Sequence, residues 1–134
     1  MKKQQGQIIV EFLLASSVLA SFFAAFIFIS QLSLIRQMAL EAAWAGARLQ
    51  AEGITDAALL NDAATSALPR RFLFGSVDWT VTHGRFLDTP SSRFYHLAET
   101  KIRGTATTSL FRRTGTDEFS INEHAVIYQR EEAP

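Results

Sequence analysis

Residues 1–53 read MKKQQGQIIVEFLLASSVLASFFAAFIFISQLSLIRQMALEAAWAGARLQAEG. From Phe12 to Ile35 there is no charged residue. About 24 residues of helix span roughly 36 Å, more than a hydrocarbon core requires. Phe12, Phe22, Phe23, Phe26 and Phe28 lie in this block among Leu, Ile, Val and Ala. Its serines (Ser16, Ser17, Ser21, Ser30 and Ser33) are compatible with it, because a helical hydroxyl can bond a carbonyl one turn back. A buried helix of a soluble protein is the competing reading, but an apolar run of this length predicts a membrane span. Lys2, Lys3 and the amine precede the span with no acid before Gly6, whereas Arg36 is soon followed by Glu41. The positive-inside bias therefore predicts a cytoplasmic N-terminus and a translocated C-terminal part.

The helix is expected to continue past the span. Residues 36–52 are rich in helix formers and lack proline. On a helical wheel Gln37, Glu41, Arg48 and Glu52 share a sector, with Trp44 beside them. The remainder is small or apolar, and Gly53 supplies a C-terminal stop. Ala39, Ala43, Ala47 and Ala51 recur every four residues, as do Ala42 and Gly46. Such rows let backbones approach closely, either between neighbouring subunits or against the chain's own sheet. Trp44 is a candidate subunit contact or a stacking partner for Arg48.

Beyond Gly53 a second helix is expected from Thr55 to Leu68, with Thr55 as N-cap, Asp56 at the positive end of the dipole, and Leu60, Ala64, Ala67 and Leu68 as its apolar stripe. Pro69 ends it. The character then becomes β. Val77, Trp79 and Val81 alternate with polar neighbours, and residues 101–111 and 119–129 make two further candidates, with a fourth piece at 72–75. Residues 84–99, marked by Pro90 and two serines, read as a loop. The expected fold class is α+β: a long N-terminal transmembrane helix extending into a small periplasmic domain with a second helix and a three- to four-stranded antiparallel sheet. The divisions are a leader at 1–6, the helix at 7–53 and the domain at 54–134.

The chain has 134 residues, 13 basic and 13 acidic, and no cysteine. The balance offers no basic stripe for nucleic acid. The missing cysteines exclude disulfides, thiolate metal sites and a cysteine nucleophile. His83, His96 and His124 are scattered without a ligand set, so no metal or other cofactor is expected. No nucleophile turn or phosphate loop suggests an enzyme or a small-molecule substrate. Arg70–Arg71 and Arg112–Arg113 suit either an anionic surface or simple solvation. Phe94 and Tyr95 suit an exposed contact or the edge of the core.

The informative constellation is Gly6 followed by Glu11. A secretory signal is normally cut after its apolar segment. A cut between Gly6 and Gln7 removes only the basic leader and leaves the span attached, with Glu11 as the fifth residue of the product. A lone carboxylate at the head of an apolar helix is costly and usually has a partner. In staggered subunits that partner is the new amine of a neighbour, a pairing that favours specificity over stability. The plainer alternative is that Glu11 reaches water through the head-group layer.

Basic leader, Gly6, apolar helix and Glu11 together resemble the class III signal region of type IV pilins. The pair Glu11–Phe12 resembles the tight-adherence (Tad or Flp) branch, and EAAWAGARLQAEG resembles the Ala-Gly-Ala-Arg segment of TadE-like minor pilins or pseudopilins. The resemblance covers about the first 53 residues. The span lacks the proline frequent in TadE-like proteins, and the chain is longer than the small major pilin. The resemblance implies a bacterial inner-membrane protein cut by a prepilin peptidase after Gly6. It also implies partners: membrane lipid, major and minor pilin subunits, and an inner-membrane assembly platform. The alternative is an uncleaved single-pass anchor whose extracytoplasmic domain binds a ligand through residues 84–99.

Overall fold

The computed structural model describes residues 2–88, 95–108 and 117–130. The chain forms two compact units, Met1–Ser33 and Leu34–Pro134. Helix α1, Lys2–Ala51, contributes to both. It begins inside the leader rather than at Gln7, because residues 2–6 include no helix breaker beyond Gly6. At the other end Gly53 has φ 95°, its N–H donates to the Gln50 carbonyl at 3.2 Å, and the Ile54 N–H donates to the Leu49 carbonyl at 3.1 Å. This paired closure needs a left-handed residue at the position after the C-cap, which glycine adopts without steric cost.

Within the first unit α1 is apolar around its circumference. Ile8, Phe12, Leu13, Leu19, Phe22, Phe23 and Phe26 are all exposed, whereas Phe28 is buried. The hydroxyls of Ser17, Ser21 and Ser30 donate to the carbonyls of Leu14, Ser17 and Phe26, so these polar groups are satisfied inside the helix. An 18-residue stretch of α1 reaches a mean hydropathy of 2.4, and the helix is long and apolar enough to cross a membrane.

The second unit holds the end of α1, helix α2 (Ala57–Thr65), and strands β1 (Arg71–Phe72), β2 (Gly75–Asp88), β3 (Tyr95–Thr108) and β4 (Asp117–Arg130). The strands form one antiparallel sheet in the order β1-β2-β3-β4. The expected α+β class and fourth strand are both present. Three sequence expectations require correction. Asp56, not Thr55, caps α2: its carboxylate accepts the Ala58 N–H at 2.9 Å from an extended backbone. Helix α2 ends at Thr65, before Leu68; Leu68 is buried but Ala67 is exposed. Most of 84–99 is not a loop, because β2 runs on to Asp88 and β3 starts at Tyr95. The segment 84–88 has no apolar alternation of its own, and its extended state comes from cross-strand pairing. Only 89–94, with Pro90 and Phe94, lies outside the described residues, as do Arg112 and Arg113.

Alternation gives the sheet two faces. Thr80, Thr82, Lys101, Arg103, Asn122 and His124 lie exposed on the outer face. Val77, Ile102, Ala106, Ile121 and Ala125 are buried on the inner face. From α1, Ile35, Ala39, Ala42, Ala43 and Ala47 are buried, and from α2, Leu60 and Ala64. Small residues on both helix and sheet permit a close approach of their backbones.

Candidate functional site

The residues around the predicted cleavage point form one face of α1. Gln4, Gln7, Ile8 and Glu11 line a shallow concavity there. The Gln7 amide Nε2 donates to Glu11 Oε1 at 3.1 Å, an i,i+4 pair on an exposed surface. Phe12 is 70% exposed beside it. A Cβ built on Gly6 meets nothing within 4 Å. Glycine in a helix interior costs about 1 kcal/mol relative to alanine. Here no left-handed backbone and no packing contact within the chain requires it.

The small-residue row has a different placement. Ala39, Ala42, Ala43 and Ala47 are buried by the chain's own atoms. Gly46 lies directly on the sheet, where an added Cβ would stand 2.9 Å from Thr100 Oγ1 and 3.2 Å from His83 Cε1. Of the two readings of this row, the intramolecular one describes its position. Trp44 stands on the exposed side, 49% accessible.

Two polar contacts fix this docking, and neither is visible from sequence spacing. The Arg36 guanidinium pairs with Glu123 on the inner face of β4. Arg36 is the first charge after the apolar block, so the pair sits where the helix leaves it. The second contact centres on His83. Its Nδ1 lies 3.0 Å from Thr100 Oγ1, and its Nε2 lies 3.1 Å from Asn61 Oδ1, so one imidazole joins β2, β3 and α2. With Asn61 Oδ1 as acceptor, Nε2 carries the proton and Nδ1 accepts from the Thr100 hydroxyl. The order Thr–His–Asn resembles a nucleophilic triad, but Thr100 is fully buried beneath Gly46. Its hydroxyl has no approach for a substrate, and the contact is an architectural one.

Burial holds the His83 pKa below its ordinary value of 6.5. The folded state thus favours the neutral ring, and the unfolded chain binds the extra proton. This contribution to stability is complete above about pH 6.5 and is lost as pH falls through that value toward the lower folded pKa. Denaturant unfolding between pH 7.5 and pH 5 should show a stability decrease that His83→Gln reduces. An unchanged pH slope in the variant would show that His83 is not the titrating group.

Among the described residues no group of three or more His, Cys, Asp or Glu side chains is arranged to hold a metal. The outer face of the sheet carries a shallow polar concavity near Thr82, Lys101, Arg103, Asn122 and His124. Asn122 accepts from Arg103 Nε at 3.2 Å and donates to Ser120 at 2.8 Å. The chain matches no protein-family model, no curated protein and no solved structure.

Proposed function

We propose that the chain is a minor pilin or pseudopilin of a tight-adherence type machine, cut after Gly6 by a prepilin peptidase and assembled through its N-terminal helix. The observation that carries this reading is Gly6. A helix-destabilising residue with no contact inside the folded chain is best explained by an external recognition event, and a peptidase that selects glycine supplies one. Glu11, paired with Gln7 across one helical turn and next to exposed Phe12, supports the second part. After the cut its carboxylate stands one turn from the new amine of Gln7, on a surface otherwise available to lipid or to neighbouring helices. In this reading α1 spans the bacterial inner membrane with its N-terminus in the cytoplasm. The sheet domain faces the periplasm, and lipid, other pilin subunits and the assembly platform are its partners. The reaction belongs to the peptidase; this chain is its substrate and has a structural role, without cofactor.

Mass spectrometry of the chain from membranes containing active peptidase should give Gln7 as the first residue. Retention of Met1–Gly6 there would overturn the reading in favour of an uncut anchor. Glu11→Ala should leave membrane insertion intact but lower co-purification with other pilin subunits by about ten-fold, as expected for the loss of a partly buried charge pair. Equal recovery would remove Glu11 as the contact that sets subunit register.

A further inference from the structure

Strand β4 forms one side of the sheet. It pairs with β3, and among the described residues no strand pairs with it on the other side. Such an edge turns every second N–H and C=O outward, here about seven of each along 14 residues. Folded chains usually blunt an edge with a short strand, a bulge, proline or lysine. β4 has none of these. Its pairing advances one residue at a time, from Asp117 opposite Thr108 to Arg130 opposite Tyr95, and residues 117–130 contain no proline, glycine or lysine. Glu123, an inward-facing charge of the kind that discourages pairing, is already matched by Arg36. On the opposite side of the sheet the edge of β2 is partly covered: β1 pairs with Gly75 and Ser76, and the Val77 N–H donates to the Arg70 carbonyl at 2.9 Å.

The strand is also complementary to itself. Side chains alternate between the two faces, so two antiparallel β4 strands keep inner face with inner face only if one residue stands opposite its own copy. Pairing about His124 overlaps residues 118–130 of both copies. It sets Ile121 level with Ile127 on the inner face, and acidic Glu118 level with basic Arg130 at both ends. Pairing about Glu123 opposes that carboxylate to its own copy. Pairing about Asn122 leaves Arg130 beyond the overlap, and pairing about Ala125 sets Glu123 against Ile127. Apolar partners and opposite charges across a pair stabilise it, and like charges destabilise it. Of these four registers, the one about His124 satisfies both conditions.

We infer that β4 is a self-association edge: two copies of this chain pair β4 to β4, antiparallel about a two-fold axis at His124, and join their four-stranded sheets into one. The interface presents the same residues on both sides and closes on itself, so it makes a dimer and not an open polymer. It hides the unprotected edge and places the exposed His124 of the outer face beside its own copy. The interface lies wholly within the unit Leu34–Pro134 and holds whether or not the leader is cut.

The absence of cysteine permits a clean test on the full chain in detergent. Antiparallel partners have Cα atoms about 4.5–5.5 Å apart, within the span of a disulfide. His124→Cys should therefore oxidise to a covalent dimer. Asn122→Cys and Val126→Cys should each fail to cross-link alone, because each stands about 13 Å along the strand from its own copy. A mixture of those two variants should cross-link, since 122 and 126 are opposed. Charge reversal gives an independent reading. Glu118→Lys should weaken dimerisation about ten-fold, as both ends of the pair are affected, and adding Arg130→Glu should restore it. Along one strand these residues lie about 40 Å apart, so that rescue requires a second copy. Both readings use variants whose circular dichroism matches that of the unaltered chain. No cross-link at 124, or equal cross-linking of the three single variants, overturns the pairing. Failure of the charge rescue overturns the register. A purified chain that stays monomeric, with position 124 cross-linking to a different protein in native membranes, assigns the edge to that partner and overturns the second copy.

Discussion

Gly46→Leu is expected to separate the end of α1 from the sheet and to destabilise the domain by about 3 kcal/mol, the upper range for overpacking a closed core. The first added atom already meets Thr100 Oγ1 at 2.9 Å and Cγ2 at 3.0 Å, and three more carbons have to follow it. Thr100 is fully buried and has no room to retreat. Its hydroxyl is also committed to His83, so moving it exposes the His83 contact with Asn61 on α2 as well. The gain in helix propensity from replacing glycine, about 1 kcal/mol, offsets only part of this. Denaturant unfolding of the full chain in detergent, followed by tryptophan fluorescence, measures the loss. A midpoint equal to that of the unaltered chain would mean that the helix does not rest on Thr100. Gly46→Ala is the gentler comparison, and should fall between the two.

Trp79→Ala should cost a similar amount, about 3 kcal/mol. The indole spans a gap that the sheet leaves open: its ring stands where a side chain on Gly104 would be, with Cζ3 2.5 Å from an ideal Cβ there. Trp79 and Gly104 are register partners on β2 and β3. The same ring bonds the Pro69 carbonyl and so ties the segment after α2 to the sheet. Truncation loses ring burial and leaves that carbonyl without the indole donor. The pair is coupled, which gives a sharper test. Gly104→Ala alone should destabilise by about 2 kcal/mol because it strikes the ring. In the Trp79→Ala background the same change should be neutral or favourable, since alanine costs less backbone entropy than glycine. Additive losses would show that the ring does not occupy the Gly104 position.

The Gly6 and Gly46 comparisons define how glycines can be read in this chain. Both sit inside α1, and the local sequence around each is helical. An added Cβ on Gly6 touches nothing, whereas one on Gly46 collides with the opposite wall of the core. Sequence reasoning singled out both, but it assigned Gly46 no unique partner, because spacing by four describes a close-packing face without saying what packs on it. Glu123 and His83 were harder still. Each lies in a strand whose alternation is plain, yet a carboxylate and an imidazole on the inner face read as interruptions until Arg36 and Asn61 are seen opposite them. No signal within their own segments points to partners so distant along the chain.

What the sequence determined by itself is local in origin. An uncharged block fixed the long apolar helix, Gly53 fixed its end through a backbone conformation open chiefly to glycine, and period-two alternation marked the first part of β2. Tertiary structure decided the rest: that β2 and β3 extend through residues 84–88 and 95–99, that Asp56 caps α2, and that the alanine row turns inward. These outcomes depend on pairing and burial between segments far apart in the chain, where a partner's backbone and shape override weak local preference.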